Sequence, residues 1–444
     1  MRSQASNAIS RFLCWALVCG LPCSATAELG AGEGETSDHS SDAALATGDE
    51  ADLIEQLSAI GYLAGTQQAP DAQGVTYYDS QRAAPGMNLF TSGHGPVALL
   101  MDMRGEVVHE WRAEFAQVFP DHPRLKREKQ PRRNYWRDAR LFPNGDIIVL
   151  WELFGLFKLD RNGEVLWAVP APVHHALRLT DAGELVHLQA ERKMIDGIAH
   201  KRAIEDFIVT RDASGKELQK LAISDALRNV NWPRLRKTFW ARAKERGYRL
   251  SEKKVYDPFH TNSLWLLSKA EAARLGNVFR AGDALVSMAM LDTIAIIDMK
   301  RGVTRWSQQG PFGMQHEPRP TLDGNIVLFN NFLTSERSSV ITLNPLSRRV
   351  EWEYTGPVSE PLHSSRSGRV QVLANGNTLV VESEGGRALE ITRDGETVWE
   401  FRSPFRASGR EDIVASLYSL ERVDLSLTSR LNAEAREVEQ AEER

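Results

Sequence analysis

Short apolar stretches alternate with polar turns along most of the chain, and one pattern recurs. In each copy, a β-rich stretch ends near Asp or Asn, a turn follows, and a second strand closes the unit, usually with tryptophan. The copies are ALLMDMRGEVVHEW (98–111), FKLDRNGEVLW (157–167), FIVTRDASGKELQKL (207–221), IAIIDMKRGVTRW (294–306), VITLNPLSRRVEWEY (340–354) and ALEITRDGETVWEF (388–401). The pattern therefore predicts six β-hairpins.

A second hairpin pattern, centred on glycine, interleaves with the first. Its copies are LFPNGDIIVL (141–150), LTDAGELVHL (179–188), TLDGNIVLF (321–329), LANGNTLVV (373–381) and the diverged FRAGDALVSM (279–288). Two hairpins per unit predict a four-stranded blade, and Trp306, Trp352 and Trp399 fall 46 and 47 residues apart, near the period of a propeller blade. We therefore predict an all-β chain folded as a six-bladed β-propeller. A β-sandwich, the alternative, would not produce six similar units.

The two ends of the chain are expected to share one blade. The first hairpin copy has no complete unit before it, so SLYSLERVDLSL (416–427) is predicted to supply the missing strand. A basic and partly helical insertion is expected at 224–275, between the third and fourth hairpin units. We place the propeller at 71–427, after an acidic flexible linker and a short amphipathic segment at 28–70. A charged tail follows at 428–444.

The first 27 residues have the order of a secretory signal peptide. Arg2 and Arg11 precede an apolar stretch that begins at Phe12, and Ala25-Thr26-Ala27 offers a cleavage site. The alternatives are a lipoprotein anchor, which needs a small residue before its cysteine, and a membrane anchor, which needs a longer apolar run. All three cysteines lie in this leader, so the mature chain would hold no disulfide and no thiolate metal site. We expect a periplasmic or secreted protein with no stable membrane span after cleavage.

Charge adds a constraint on partners. The whole chain of 444 residues carries a net charge of −5, and loss of the two leader arginines leaves −7. Nucleic acid is therefore not an expected partner. Two basic stretches, 124–140 and 228–254, stand against this background. They are either solvated faces or a positive rim that attracts an anionic substrate.

Histidines stand at equivalent positions before the glycine hairpins. His316 lies eight residues before Gly324, and His175 lies eight residues before Gly183. His260 opens the corresponding strand of the fourth unit. Because the innermost strand of each propeller blade lines the central channel, these three side chains are expected to converge at one mouth.

Strand alternation places Asn262 on the same face as His260, and it turns Arg319 away from His316. It also turns His174 outward. Imidazoles with an amide would form a site for an oxyanion. The competing interpretation is a zinc site, since three histidines can hold Zn²⁺ with one position open. The sequence shows no adjacent Asp or Glu to orient the rings, which argues against zinc.

Three motifs together resemble the bacterial arylsulfate sulfotransferases. They are DPFHTNS (257–263), QHEPRPTLDGNIVLF (315–329) and LANGNTLVVESEGGRALEITRDGETVWEF (373–401), and the resemblance covers roughly residues 74 to 425. It implies a periplasmic six-bladed propeller that moves a sulfuryl group from a phenolic sulfate ester to a phenol. The implied route uses a sulfohistidine, no nucleotide sulfate donor and no cofactor. A non-catalytic propeller that binds an anionic ligand or a protein partner at its channel is the alternative.

The resemblance also implies roles for individual residues. His316, after Gln315, would be the nucleophile that holds the sulfuryl group. His260 would bind the sulfate oxygens and assist the leaving phenolate, and Asn262 would bind substrate beside it. His175 would take the place of the family's third histidine.

One departure from the family pattern concerns charge. The family's sulfate-binding arginine is replaced here by Ala289, and alanine offers no comparable anion donor. Arg137, eight residues before Gly145, and Arg337, shortly after the His316 hairpin, are the candidates to supply the missing charge. The family's disulfide is also missing.

Overall fold

The structure is a computed structural model, and it describes residues 64–126, 134–180, 182–195, 202–245, 256–334, 336–407 and 410–426. The expected leader at 1–27, most of the segment at 28–70 and the tail at 428–444 lie outside the described residues. Those three assignments stay predictions. No helix within the described ranges is long and apolar enough to cross a bilayer.

Six antiparallel sheets form the six blades of a propeller, which confirms the predicted fold. Strand β1 (Gly74–Tyr78) comes first in the chain. Blade 1 holds β2 (Met87–Ser92), β3 (Val97–Met101) and β4 (Val107–Arg112). Blade 2 holds β5 (Trp136–Leu141), β6 (Ile147–Trp151), β7 (Gly155–Leu159) and β8 (Val165–Pro170). Blade 3 holds β9 (Val173–Leu179), β10 (Leu185–Met194), β11 (Arg202–Arg211) and β12 (Glu217–Ala222).

The second half of the chain repeats this arrangement. Blade 4 holds β13 (Thr261–Leu266), β14 (Ala284–Met288), β15 (Thr293–Asp298) and β16 (Val303–Gln309); blade 5 holds β17 (His316–Pro320), β18 (Ile326–Thr334), β19 (Arg337–Leu343) and β20 (Val350–Tyr354); blade 6 holds β21 (Arg369–Val372), β22 (Thr378–Glu382), β23 (Arg387–Ile391) and β24 (Thr397–Arg402). A small hairpin, β25 (Arg406–Ala407) and β26 (Arg410–Val414), precedes the last strand, β27 (Leu417–Val423).

Within the described ranges, four short or medium helices join these strands. They are α1 (Phe115–Val118), α2 (Ile223–Ala226), α3 (Trp232–Glu245) and α4 (Lys269–Leu275), with 3₁₀ turns at Pro123–Lys126 and Ala289–Leu291. The predicted insertion at 224–275 is in fact split, because β13 lies inside that range as the inner strand of blade 4. The helices α2 and α3 precede β13, and α4 lies between β13 and β14.

The chain ends close the ring, as predicted for residues 416–427. Strand β27 pairs antiparallel with β2, from Met87 opposite Val423 to Ser92 opposite Leu417, and so becomes the inner strand of blade 1. Strand β1 adds a fifth, outermost strand to blade 6 by pairing with β24. The inner strands β27, β5, β9, β13, β17 and β21 each contact the next around the ring.

The repeated tryptophans join neighbouring blades. Trp111 of blade 1 donates its indole N–H to the carbonyl of Gly145 in blade 2 at 3.2 Å. Trp399 of blade 6 donates to the carbonyl of Met103 in blade 1 at 3.0 Å. The same bond runs from blade 4 to blade 5 and from blade 5 to blade 6. Because a buried indole N–H needs an acceptor, each such tryptophan fixes the next blade as well as filling the core.

The apolar core lies between adjacent blades. Blades 1 and 2 share one cluster of buried side chains, blades 4 and 5 share another, and blades 6 and 1 share a third. A strand covered on both faces is apolar at consecutive positions, and all five residues of β6 (IIVLW) are buried. The inner strands are largely buried as well: all five residues of β17 and six of the seven residues of β9 are buried, so their first residues stand on a packed platform.

Candidate active site

The structure brings the three predicted histidines together at the starts of three inner strands. His175 lies near the start of β9, His260 directly precedes β13, and His316 opens β17. The rings of His175 and His260 meet edge to face, with centroids 5.2 Å apart. A positive charge on His260 lowers the pKa of His316, after the larger effect of burial, so the three rings belong to one site.

Left-handed backbone conformations shape this site. His175 has φ of 57° and His260 has φ of 47°, values that non-glycine residues adopt rarely. Such residues interrupt strand alternation, which corrects the expected outward position of His174. His174 is buried, and its Nδ1 lies 2.8 Å from Nδ1 of His175.

The proton of His316 is fixed on Nδ1. Nδ1 lies 2.7 Å from Oδ1 of Asn331 and 2.9 Å from the carbonyl oxygen of Met314, and both oxygens are acceptors. The orientation of the Asn331 amide is set by its nitrogen, which donates to the carbonyls of Ser364 at 2.7 Å and Ser367 at 2.9 Å. Nδ1 must therefore carry the hydrogen, and Nε2 keeps its lone pair.

The second nitrogen of His316 is buried and chemically available. Nε2 has no hydrogen-bond partner among the described residues. Burial lowers the pKa of His316 to about 3, and the Arg137 charge acts in the same direction. The hydrogen bond to Asn331 opposes this shift without cancelling it. At neutral pH the imidazole is therefore uncharged, which is the form that a nitrogen nucleophile requires.

His260 has a different partner. Its Nδ1 lies 2.5 Å from Oδ2 of Asp257, and its backbone N–H donates to Oδ1 of the same carboxylate at 2.8 Å. This carboxylate corrects the expectation that no Asp or Glu orients the rings. The two contacts fix the orientation of the ring through Nδ1, so Nε2 is the nitrogen of His260 that is left to contact a substrate.

His175 is oriented through its neighbour. His174 Nε2 lies 3.3 Å from Oδ1 of Asp206, and Oδ2 of Asp206 accepts the backbone N–H of Thr261 at 2.7 Å. Burial opposes protonation of His174, but Asp206 outweighs it and raises the pKa of His174. Burial and the Arg137 charge hold the pKa of His175 well below its usual range. Because the pKa of His174 is raised and the pKa of His175 is lowered, His174 is the donor in the hydrogen bond between their Nδ1 atoms, which leaves the proton of His175 on Nε2.

Three carboxylates line one cavity together with His174, His175 and His260, and each has a positive or hydrogen-bonding partner. Asp206 faces His174, and Asp257 faces His260. Glu152 lies 3.7 Å from Nε of Arg137, and it accepts the backbone N–H of His175 at 3.3 Å. A narrow cavity is lined by Glu152, Leu153, His174, His175, Ala190, Asp206, Asp257, His260 and Thr261. Pairing offsets the negative charge, so the cavity stays compatible with an anionic group.

The two candidate arginines differ in position. Arg137 in β5 is buried, its guanidinium lies 4.7 Å from the ring centre of Tyr418, and its charge depresses the pKa of both His175 and His316. Arg337 is exposed at the start of β19. Arg137 is therefore the candidate that the structure places beside the histidines.

Two further predicted positions have structural contacts. The Asn262 amide nitrogen donates to the carbonyl of Gln315 at 2.9 Å, so it supports the backbone before His316. Ala289 is buried in the 3₁₀ turn after β14, and its N–H donates to the carbonyl of His260 at 3.2 Å. Substrate binding by Asn262 stays a prediction.

Arg319 is engaged elsewhere, as strand alternation suggested. It forms an ion pair with Glu317, and its guanidinium lies 3.8 Å from the ring centre of Trp265. Arg178 pairs with the same carboxylate and lies 3.4 Å from Asp138. These charges belong to a buried network on the inner strands, so Arg319 does not replace the missing arginine.

In each of the three histidines, Nδ1 contacts another group of the protein. Histidines that bind zinc through Nε2 are commonly oriented in the same way by a second group. Within the described ranges, no group of three or more His, Cys, Asp or Glu residues is placed to hold a metal ion. The zinc interpretation is therefore left to a direct test below.

Several solved structures resemble this chain in fold, with low sequence identity. A protein of unknown function from Bacteroides caccae is 14% identical with a TM-score of 0.46, over 74% of this chain and 97% of that one. Virginiamycin B lyase from Staphylococcus aureus is 12% identical with a TM-score of 0.36, over 61% and 70%. A functionally unknown protein from Desulfotomaculum acetoxidans is 9% identical with a TM-score of 0.40, over 76% and 100%. No functional inference follows from these likenesses.

Sequence comparison is more specific. No curated protein matches the chain. The sequence profile of the family Arylsulfotransferase (ASST) matches residues 138–404, which is more than half of the chain and runs from blade 2 to the end of blade 6. This range contains His175, His260 and His316. The chain therefore belongs to the arylsulfotransferase (ASST) family.

Proposed function

We propose that this protein transfers a sulfuryl group from a phenolic sulfate ester to a phenol through a sulfohistidine at His316, with no nucleotide sulfate donor. The observation that carries the proposal is the locked tautomer of His316, whose buried Nε2 holds an unshared lone pair. Family membership supports the substrate class. The expected leader would place the reaction in the periplasm or outside the cell.

In the first step, Nε2 of His316 attacks the sulfur of the donor. The N–S bond forms as the bond from sulfur to the phenolic oxygen breaks, and the electron pair of that bond leaves with the phenolate. His260 gives a proton to this oxygen. The sulfated His316 ring becomes an imidazolium, and its Nδ1–H stays bonded to Oδ1 of Asn331.

The second step reverses the roles. The acceptor phenol attacks the sulfur while His260 takes the phenolic proton, and the electron pair of the N–S bond returns to Nε2 of His316. Donor and acceptor exchange one sulfuryl group and one proton, so no co-reactant is consumed. Two similar displacements replace one transfer between two bound phenols, which is the advantage of a covalent intermediate.

Anion binding is assigned to Arg137 and to the Nε2–H of His175. In sulfuryl transfer, negative charge sits on the peripheral oxygens, and donors placed beside them stabilise the transition state. Arg137 comes from a different blade than Ala289, so the positive charge enters the site from another direction. Its planar guanidinium can bind two sulfate oxygens at once.

The test is a covalent adduct. The protein is incubated with a chromogenic aryl sulfate, with and without a phenol acceptor, and its peptides are then analysed by mass spectrometry. Without acceptor, we expect release of one equivalent of phenol per protein and the mass of one sulfuryl group on the peptide with His316. With acceptor, phenol release should continue. His316→Gln should lose both. His109→Gln, which changes a half-buried histidine on the outer strand β4 of blade 1, is the matched control and should keep both.

Other outcomes separate the competing functions. No adduct and no phenol release, even with acceptor, would contradict the proposal and favour a propeller that only binds an anionic ligand or a protein. Activity that disappears with a chelator, together with bound zinc in the purified protein, would instead indicate a metal-dependent hydrolase. An aryl phosphate tested in parallel distinguishes sulfate from phosphate esters.

A further inference from the structure

Helix α3, between blades 3 and 4, is docked against the region that carries His316. Phe239 of α3 is buried in the same apolar cluster as Met290 in the 3₁₀ turn after β14. At the preceding position, Thr238 Oγ1 accepts a hydrogen bond from the side-chain amide of Gln309 at 2.8 Å. Gln309 ends β16, the strand that leads into the loop before His316. The helix is therefore part of the packed structure around this loop.

A chain of hydrogen bonds runs from this helix to the ring of His316. Arg242 donates from Nε at 2.8 Å and from Nη2 at 2.5 Å to Oδ2 of Asp292. The other oxygen of Asp292, Oδ1, accepts the backbone N–H of Met314 at 3.1 Å. The carbonyl of Met314 lies 2.9 Å from Nδ1 of His316. Only one side chain and one peptide segment thus separate Arg242 from the nucleophile.

The residues in this chain are held in costly backbone conformations. Asp292 has φ of 47° and Met314 has φ of 52°. Left-handed backbone conformations are unfavourable for non-glycine residues, and they persist when surrounding contacts enforce them. The Asp292 carbonyl also accepts the N–H of Gly310 at 2.9 Å, so Asp292 holds the loop at both ends. The carboxylate of Asp292 is mostly buried, with Arg242 as its cationic partner.

We propose that Arg242 is a positioning residue for the nucleophile. By fixing Asp292, it keeps the Met314 carbonyl against the Nδ1–H of His316, and so directs Nε2 at the sulfur. The inference rests on the proposed role of His316. It adds a function for helix α3, which would hold in place the loop from Gly310 to Gln315 that precedes the nucleophile. Misplacement of a reacting group by about 1 Å costs on the order of 10²-fold in rate, so a brace of this kind matters for kcat.

The test compares three variants of the full-length protein. Arg242→Met removes the donors and should lower kcat by about 10- to 100-fold, with little change in KM. Arg242→Lys keeps one charged donor and should recover part of the loss. Lys244→Met, two residues further along the same helix and exposed, is the matched control and should behave like the unchanged protein. Thermal unfolding shows whether each variant is folded.

A second readout does not depend on activity. In ¹⁵N-histidine-labelled protein, Arg242→Met should change the ¹⁵N signals of His316, whereas Lys244→Met should leave them in place. A folded Arg242→Met variant with unchanged kcat and unchanged His316 signals would overturn the inference. So would a loss of kcat that only follows a loss of folded protein and that Arg242→Lys does not recover. If the His316 signals move but the unchanged protein transfers no sulfuryl group, the brace stands and the proposed function fails.

Discussion

His316 and His260 are the same residue type at the starts of neighbouring inner strands, yet their surroundings differ. His316 is 3% exposed, and its Nδ1 faces the amide oxygen of Asn331. The side chain of His260 is 13% exposed, and its Nδ1 faces the carboxylate of Asp257 at 2.5 Å. Both partners accept a hydrogen bond from Nδ1, but the partner of His316 is a neutral amide and the partner of His260 is a carboxylate.

This difference separates two chemical tasks. A positive charge on a buried ring loses the stabilisation that water provides, and a neutral partner does not replace it. His316 therefore stays neutral, which is the form that a nucleophile requires. His260 has a carboxylate partner and is partly open to solvent, which are the surroundings of many histidines that act as general acids and bases. The proposed division between attack by His316 and proton exchange by His260 rests on these different partners, and exchanging the partners tests it.

The largest effect is expected from His316→Gln. Glutamine keeps a polar side chain of similar reach but has no nucleophilic nitrogen. We expect kcat to fall on the order of 10⁴-fold or more, equally for all donors, because no covalent intermediate can form. Steady-state rates with a series of aryl sulfates measure this. A variant that keeps more than a tenth of the rate would show that the nucleophile lies elsewhere.

A smaller and more selective effect is expected from Asp257→Asn, which gives His260 an amide partner like that of His316. A general acid matters most for a poor leaving group, so kcat should fall about 10²-fold for donors with weakly acidic phenols. Donors with nitrophenol leaving groups should lose much less. Equal losses across the donor series would contradict proton donation by His260.

The reverse exchange, Asn331→Asp, should act mainly through pH. A carboxylate next to His316 stabilises its imidazolium and is expected to raise the pKa of His316 by about 1 to 3 units from about 3. Since the protonated ring has no lone pair, kcat/KM should fall as pH drops through this new pKa. Profiles from pH 4 to 8 for both proteins test this. Superimposable acidic limbs would mean that Asn331 does not set the charge state of His316.

Much of the fold was accessible from sequence. Each hairpin repeat can be recognised from a short stretch of sequence, and the number of repeats predicted six blades. The incomplete first unit predicted that a strand near the C-terminus closes the ring. The insertion was drawn too broadly because β13 lacks the short glycine turn of its counterparts and is followed by α4. Sequence spacing also singled out His316, His175 and Arg137 through one shared offset.

The partners of the histidines were less accessible. Asp257 stands three residues before His260, a local signal for a side chain that returns to the histidine N–H, and it was overlooked. Asn331 and Asp206 reach the site from other strands, so no spacing rule connects them with their histidines. His174 was misplaced because the left-handed turn at His175 breaks alternation, and such a turn at a non-glycine residue leaves no sequence signature.

The most direct test of the central claim is the protonation of His316 itself. Protein labelled with ¹⁵N-histidine is titrated from pH 7.5 to 5, and the His316 signals are identified by their loss in His316→Gln. We predict that Nδ1 carries the proton and that Nε2 stays unprotonated across this range, because burial holds the pKa of His316 at about 3. A hydrogen on Nε2 at neutral pH, or protonation of Nε2 with a pKa near the usual ~6.5, would contradict the account.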